Sequence, residues 1–338
     1  MTSPAELPPV TILIEWENAI DVEDEWTEKS MAALLREIKS VAGRMAEKPR
    51  INYLYDDTAV EPEAITRVIA KVAPQLEELA DLEIVPTPGL SYYELKNFGV
   101  ARATTAISIM LDSDTSPQPG WLENLLKPFA DPEIMAVGGF TVLGYEDLLS
   151  RTMALSWIFN LADEREKTER RRQIHVNNCA VRTDFFHNNP FPDLPLFKKH
   201  CGFWVRDLTA RGIRFVRTAD AVTVHAPHPG YKYVAYRAWM TGSDLDYQGY
   251  QTISPSRIRR LQFALTYFTK KVARSWARVL SKGHKVDLPL WQRPAAMVVG
   301  FGFYFIVLIS QLKAIATRSY AALPIASGAV QPELQASV

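Results

Sequence analysis

Asp112 and Asp114, one residue apart, are the pair whose type and spacing point most directly to chemistry. They follow the apolar run Ile107-Ser108-Ile109-Met110-Leu111, and Ser116, Pro117, Pro119 and Gly120 supply turn residues beyond them. The pair therefore falls at the carboxyl end of a buried strand, where open α/β sheets place their ligands. Hard carboxylate oxygens there suit a divalent cation, Mn2+ or Mg2+, that also bridges substrate phosphates. Asp-x-Asp by itself is a weak signal, and its meaning depends on the elements that position it.

Those elements alternate. Apolar runs predict strands over 10–14, 50–55, 82–86, 107–112 and 134–140. Helical periodicity fills the intervals at 26–45, 61–79, 92–104 and 121–129. Further on, 145–174 reads as a helix with a charge-dense end, 177–182 as a strand and 197–211 as a helix closed by Gly212. Two short strands, 213–216 and 221–224, follow, the second stopping at His225. The order predicts an α/β, Rossmann-like, mostly parallel sheet with helices on both faces.

Lys plus Arg equals Asp plus Glu at 38 each, so net charge gives no argument for nucleic acid as a partner. Two cysteines, Cys179 and Cys201, lack zinc-ligand spacing and are too few for a disulfide framework, which favours a reduced compartment. The amino terminus shows no secretory-signal pattern. Residues 294–312 carry no formal charge over nineteen positions, about what a ~30 Å hydrocarbon layer requires. Residues 257–293 set ten Lys and Arg against Asp287 alone, with Ile258, Leu261, Leu265, Phe268, Val272 and Trp276 interleaved at near-helical spacing. That pattern predicts a basic amphipathic helix at a membrane surface, then a span with its amino-terminal side cytoplasmic. The expected division is a large α/β domain over 1–230, an interfacial segment over 231–293, a transmembrane helix over 294–316 and a loose tail over 317–338. The expected location is the inner (plasma) membrane, with the large domain cytoplasmic.

The ordered series of strand-end segments resembles family-2 glycosyltransferases, whose nucleotide-sugar domain has the GT-A fold. The resemblance covers roughly residues 10–229. Residues 10–18 look like the family's first strand and loop ending in Asn18, and residues 53–58 resemble its second strand. Lys96-Asn97 with Gly99, Ala101 and Arg102 is similar to the basic-Asn segment before the metal strand. Residues 111–121 match the stretch from metal motif to tryptophan, 177–185 the acceptor-side strand and turn, and 222–225 the late strand ending in a metal-facing histidine. The resemblance implies that Asp112, Asp114 and His225, with His228 as an alternative to the last, hold a metal. Glu15, Glu17, Asn18 and Asp57 would meet the base and ribose. Lys96, Asn97, Arg102 and Ser113 would complete the donor site. It also implies transfer with inversion; the apolar segment at 294–312 suggests a lipid-linked or other envelope-glycan acceptor.

One departure stands out. The family's Glu-Asp pair, which supplies the catalytic base, is replaced by His200 and Cys201, and no carboxylate lies between Asp193 and Asp207. His200 is one candidate base and Asp207 another. A catalytically inactive, glycosyltransferase-like binding or scaffold protein is therefore an alternative. A nucleotidyltransferase is a further one, set back by the lack of glycine in the loop 15–19.

Overall fold

The computed structural model describes residues 6–22, 24–167 and 173–317. Among them, strands β1 (Val10–Glu15), β2 (Arg50–Tyr55), β3 (Asp81–Pro86), β4 (Ile107–Asp112), β5 (Thr115–Pro117), β6 (Ala136–Leu143), β7 (Asn178–Arg182) and β8 (Phe215–His225) form one sheet. Its order is β3-β2-β1-β4-β7-β6-β8-β5. The first four neighbours run parallel, β7 is antiparallel to both β4 and β6, β6 and β8 are parallel, and β5 closes the edge antiparallel to β8.

Eleven α-helices accompany the sheet among the described residues: α1 (Asp24–Val41), α2 (Pro62–Val72), α3 (Leu76–Leu79), α4 (Tyr92–Arg102), α5 (Trp121–Leu126), α6 (Leu148–Ser156), α7 (Thr183–His187), α8 (His200–Ala210), α9 (Gly230–Thr252), α10 (Arg257–Lys282) and α11 (Arg293–Thr317). The two-residue period of a strand explains why helices cover both faces. Ile12, Ile14, Ile109 and Leu111 pack with Met31, Leu34 and Ile38 of α1 and Ile65 of α2. Leu13 and Met110, pointing the other way, pack with Leu95 and Val100 of α4 and Trp204 and Leu208 of α8.

A third core joins α6, α9, α10 and α11 through Leu149, Met153, Val234, Leu245, Val272, Val279, Phe303 and Val307. Small residues let these helices close up. A Cβ on Gly242 of α9 would lie 2.4 Å from the Val307 carbonyl oxygen of α11. The α11 segment is the one described helix long and apolar enough to cross a membrane. One of its faces is packed on α9 and α10, while Val298, Phe301, Phe305, Ile309 and Leu312 are exposed. The expected tail lies, beyond Thr317, outside the described residues.

Two sequence expectations change. The single helix expected over 145–174 is instead α6, which opens on an Asp147–Ser150 capping box and stops at Trp157, whose backbone is extended at φ −82° and ψ −152°. A short 3-10 segment, Ala162–Lys167, follows, and 168–172 lie outside the described residues. The break has an anchor: Glu164 accepts hydrogen bonds from Lys282 (2.7 Å), Arg278 (3.2 Å) and the Leu161 N–H (3.2 Å). The two strands expected after Gly212 are one, β8, whose pairing with β6 shifts register between Gly138 and Phe140.

Candidate active site

The carboxyl ends of β1 and β4 lie in register, Glu15 opposite Asp112. The Ser113 N–H continues the ladder by donating to the Glu15 carbonyl at 2.9 Å. Beyond it the chain turns into β5, which pairs Thr115 with His225, and the Ala226 N–H donates to the Asp114 carbonyl at 2.8 Å. Sheet closure thus delivers a histidine from the far end of the chain to the aspartate pair.

Asp112 is tightly held. Lys96 of α4 donates to its Oδ1 at 2.6 Å, and the Tyr92 hydroxyl donates at 2.7 Å to Oδ2. Burial acts to raise the Asp112 carboxyl, yet Lys96, Lys198 and the Tyr92 hydrogen bond outweigh it and hold the group below the usual aspartate range. Asp114 differs: burial, with Asp112 nearby, raises its carboxyl despite His225. Glu15 is fully buried and raised well above the ordinary value, by burial first and then by Asp112 and Glu17. Its two carboxylate oxygens accept from the Asn18 N–H (2.9 Å) and side-chain amide (2.6 Å), which shapes the first loop.

His225 offers a metal-ready geometry. Its Nδ1 lies 2.8 Å from the Ala226 carbonyl, an atom that only accepts, so Nδ1 carries the proton. That leaves Nε2 facing Asp114 Oδ2 at 3.4 Å. A backbone carbonyl that fixes the tautomer in this way is characteristic of histidines that bind metals. No group of three His, Cys, Asp or Glu side chains among the described residues converges closely enough to hold an ion alone. Two protein ligands completed by phosphate and water is the arrangement magnesium-type ions accept.

Asp112, Asp114, His225 and Asn18 line one pocket, together with Tyr92, Tyr93, Trp157, Phe159, His175, Lys198, His228, Tyr233 and Arg237. Other sequence candidates sit elsewhere. Asp57 is exposed in the turn after β2, while Asp56 beside it accepts from the Thr58 N–H and hydroxyl. Asn97 donates to the Phe191 carbonyl and accepts from its N–H, splinting a loop. Arg102 pairs with Glu83 on the surface. Glu17 is buried in the short helical turn after β1, and Ser113 Oγ is buried with no described hydrogen-bond partner. His200 is buried, stacked on Tyr93 at 4.3 Å and bonded through Nε2 to the Leu194 carbonyl, outside the pocket lining. Asp207 is exposed and paired with Arg211. The pocket thus gathers the three metal candidates and Asn18 of the first loop, and both base candidates lie outside its lining.

Sequence reasoning missed the pocket's other wall. Asp244 of α9 accepts from the Phe197 and Lys198 N–H groups at 2.8 and 3.0 Å, and Tyr93 donates to the Lys198 carbonyl. These contacts aim Lys198 at the aspartates; burial and Arg237 lower its ammonium to about 8. The break after α6 brings in Trp157 and Phe159. The signal for Lys198 was its place two residues before His200; Arg237 and Tyr233 carry only an i, i+4 spacing, which says nothing of where α9 docks.

Compared with known proteins, the family model for Glycosyl transferase family 2 matches residues 66–188, a stretch that includes α4, β4, the aspartate pair and β7. That match spans well under half of the chain. Among solved structures, a mannosyltransferase from Pyrobaculum calidifontis, in complex with GDP-mannose and Mn2+, is similar at 17% identity and a TM-score of 0.55, over 94% of this chain and 92% of that one. No curated protein matches by sequence. The fold is GT-A, and the glycosyltransferase is an enzyme of nucleotide-sugar chemistry.

Proposed function

We propose that this glycosyltransferase moves a sugar from a nucleotide-diphosphate donor, with a divalent cation, to a lipid-linked or other envelope acceptor at the cytoplasmic face of the inner membrane, with inversion. The observation that carries the donor half is Asp114 facing His225 Nε2 across 3.4 Å beside the Lys96-held Asp112. Asp114 and His225 would hold the cation, and the similar mannosyltransferase was solved with Mn2+ and GDP-mannose. The cation supplies Lewis-acid neutralisation of the diphosphate leaving group. Lys96 fixes Asp112, Asn18 shapes the loop beside the nucleotide, and the aromatic wall of Trp157 and Phe159 keeps water from the anomeric carbon. Residues 1–230 would form the donor domain, with 231–293 at the interface and 294–316 in the membrane.

The membrane half is supported by the apolar, outward face of α11, continuous with α10 through Phe268, Phe301 and Phe305. Lys270, Lys271 and Arg274 of α10 suit anionic headgroups. Binding of labelled GDP- and UDP-sugars, with and without Mn2+, tests the donor half. Wild type should bind in a Mn2+-dependent way, and Asp114→Ala should lose that dependence. Equal, metal-independent binding by both would sink it.

A further inference from the structure

Two cations in the pocket make no close ion pair among the described residues. Arg237 makes no ion pair among the described residues. Its guanidinium lies 5.4, 4.8 and 5.8 Å from the ring centres of Trp157, Phe197 and Tyr233, and its Nε is buried without a hydrogen-bond partner. Lys198 rests its Nζ 4.0 Å from the centre of the Tyr92 ring and likewise makes no ion pair. Both are held in place: Asp244 clamps the backbone at Lys198, and Arg237 is fixed on α9 among three rings. Buried charge normally has a partner, and a guanidinium with open donors fits the oxygens of a phosphate.

The pocket is also poor in carboxylates, the histidines of its lining being His175, His225 and His228. Its described lining carboxylates are Asp112 and Asp114, which the donor reading uses. A hydroxyl acceptor must lose a proton as it attacks, which calls for a positioned base. A phosphate monoester, already anionic near neutral pH, needs none.

We propose that the acceptor nucleophile is a phosphate oxygen, bound between Arg237 and Lys198, so that the enzyme makes a glycosyl phosphodiester. This rests on the glycosyl-transfer reading above. A lone pair on the phosphate oxygen forms the bond to the anomeric carbon. The bond from that carbon to the donor's diphosphate oxygen breaks, its electron pair leaving with the nucleoside diphosphate. No proton moves, so neither His200 nor Asp207 is required.

The test is calorimetric titration of the full chain in detergent with citronellyl phosphate, citronellol and inorganic phosphate, using wild type, Arg237→Gln and Arg237→Lys. Nucleoside diphosphate plus Mn2+ is titrated separately. The expected result is binding of citronellyl phosphate but not citronellol. Arg237→Gln should weaken it about tenfold or more, Arg237→Lys less, and nucleotide affinity should stay within about twofold. Inorganic phosphate binding as tightly as the lipid form would identify the free ion as the ligand and overturn an acceptor role. So would equal binding of alcohol and phosphate, no effect of Arg237→Gln, or equal loss of phosphate and nucleotide. With a donor that binds, transfer to citronellol abolished by His175→Ala would show a hydroxyl acceptor with a histidine base, and also overturn it. Absence of any nucleotide binding would instead refute the donor reading, while the phosphate titrations still decide this one.

Discussion

Replacing Lys96 by methionine isolates the interaction that holds Asp112 ready. Lys96 is 1% exposed and Asp112 3%, and their 2.6 Å hydrogen bond is charge-assisted. Methionine keeps the volume but leaves a buried carboxylate with the Tyr92 hydroxyl as its remaining side-chain donor. Breaking a buried pair by removing one partner costs about 3–5 kcal/mol. The Tyr92 contact argues for the lower end, about 3 kcal/mol, or roughly a hundredfold in the folding equilibrium. Urea denaturation of wild type, Lys96→Met, Asp112→Asn and the double variant measures it. In the Asp112→Asn background no carboxylate is stranded, so Lys96→Met should cost about 1 kcal/mol or less, giving a coupling of about 2 kcal/mol. If Lys96→Met costs the same in both backgrounds, the pair does not hold the site and the reasoning fails.

Three other outcomes follow from the packing. Burial acts to raise the Glu164 carboxyl, but Lys282, the Leu161 N–H and Arg278 together bring it down to about 2. A lowered folded value means its stabilisation is complete above the unfolded value of about 4.3 and disappears as pH falls toward about 2. The stability difference between wild type and Glu164→Gln, measured by urea titration across that window, should shrink with acid; a flat difference refutes the assignment. Gly242→Ala should lose about 1–3 kcal/mol, because its Cβ would meet the Val307 carbonyl oxygen at 2.4 Å and only movement of α11 relieves it. Gly302→Ala, with nothing within 4 Å, should be neutral or gain up to about 1 kcal/mol, and thermal melts compare the two. Phe301→Asp with Phe305→Asp should abolish flotation on anionic vesicles while circular dichroism stays native; undiminished flotation would remove the lipid-facing reading of α11.

The alternation of apolar runs was enough to read the α/β sheet, because residues of β1 and β4 are buried on both faces and carry an unbroken apolar signal. The Asp112–Asp114 pair was legible for the same reason: a strand that ends abruptly in carboxylates advertises its carboxyl end. The helix breaking at Trp157 was not legible. Residues 145–174 keep a helical composition, and the stop depends on Glu164 meeting Lys282 and Arg278 from a segment more than a hundred residues away. His200 and Asp207 were singled out by position in a motif; the stacking of His200 on Tyr93 and the pairing of Asp207 with Arg211 are contacts made in three dimensions.

The sequence by itself determined the sheet, the aspartate pair and the apolar terminal helix, all properties of local pattern and period. Only the tertiary structure decided that His225 turns Nε2 toward Asp114, that Asp244 aims Lys198 into the pocket and that Arg237 stands there with no ion pair among the described residues. The physical reason is common to all three. Hydrogen bonds and charges act over a few ångströms, so their partners are fixed by strand pairing and helix docking between segments whose sequences do not encode one another's positions.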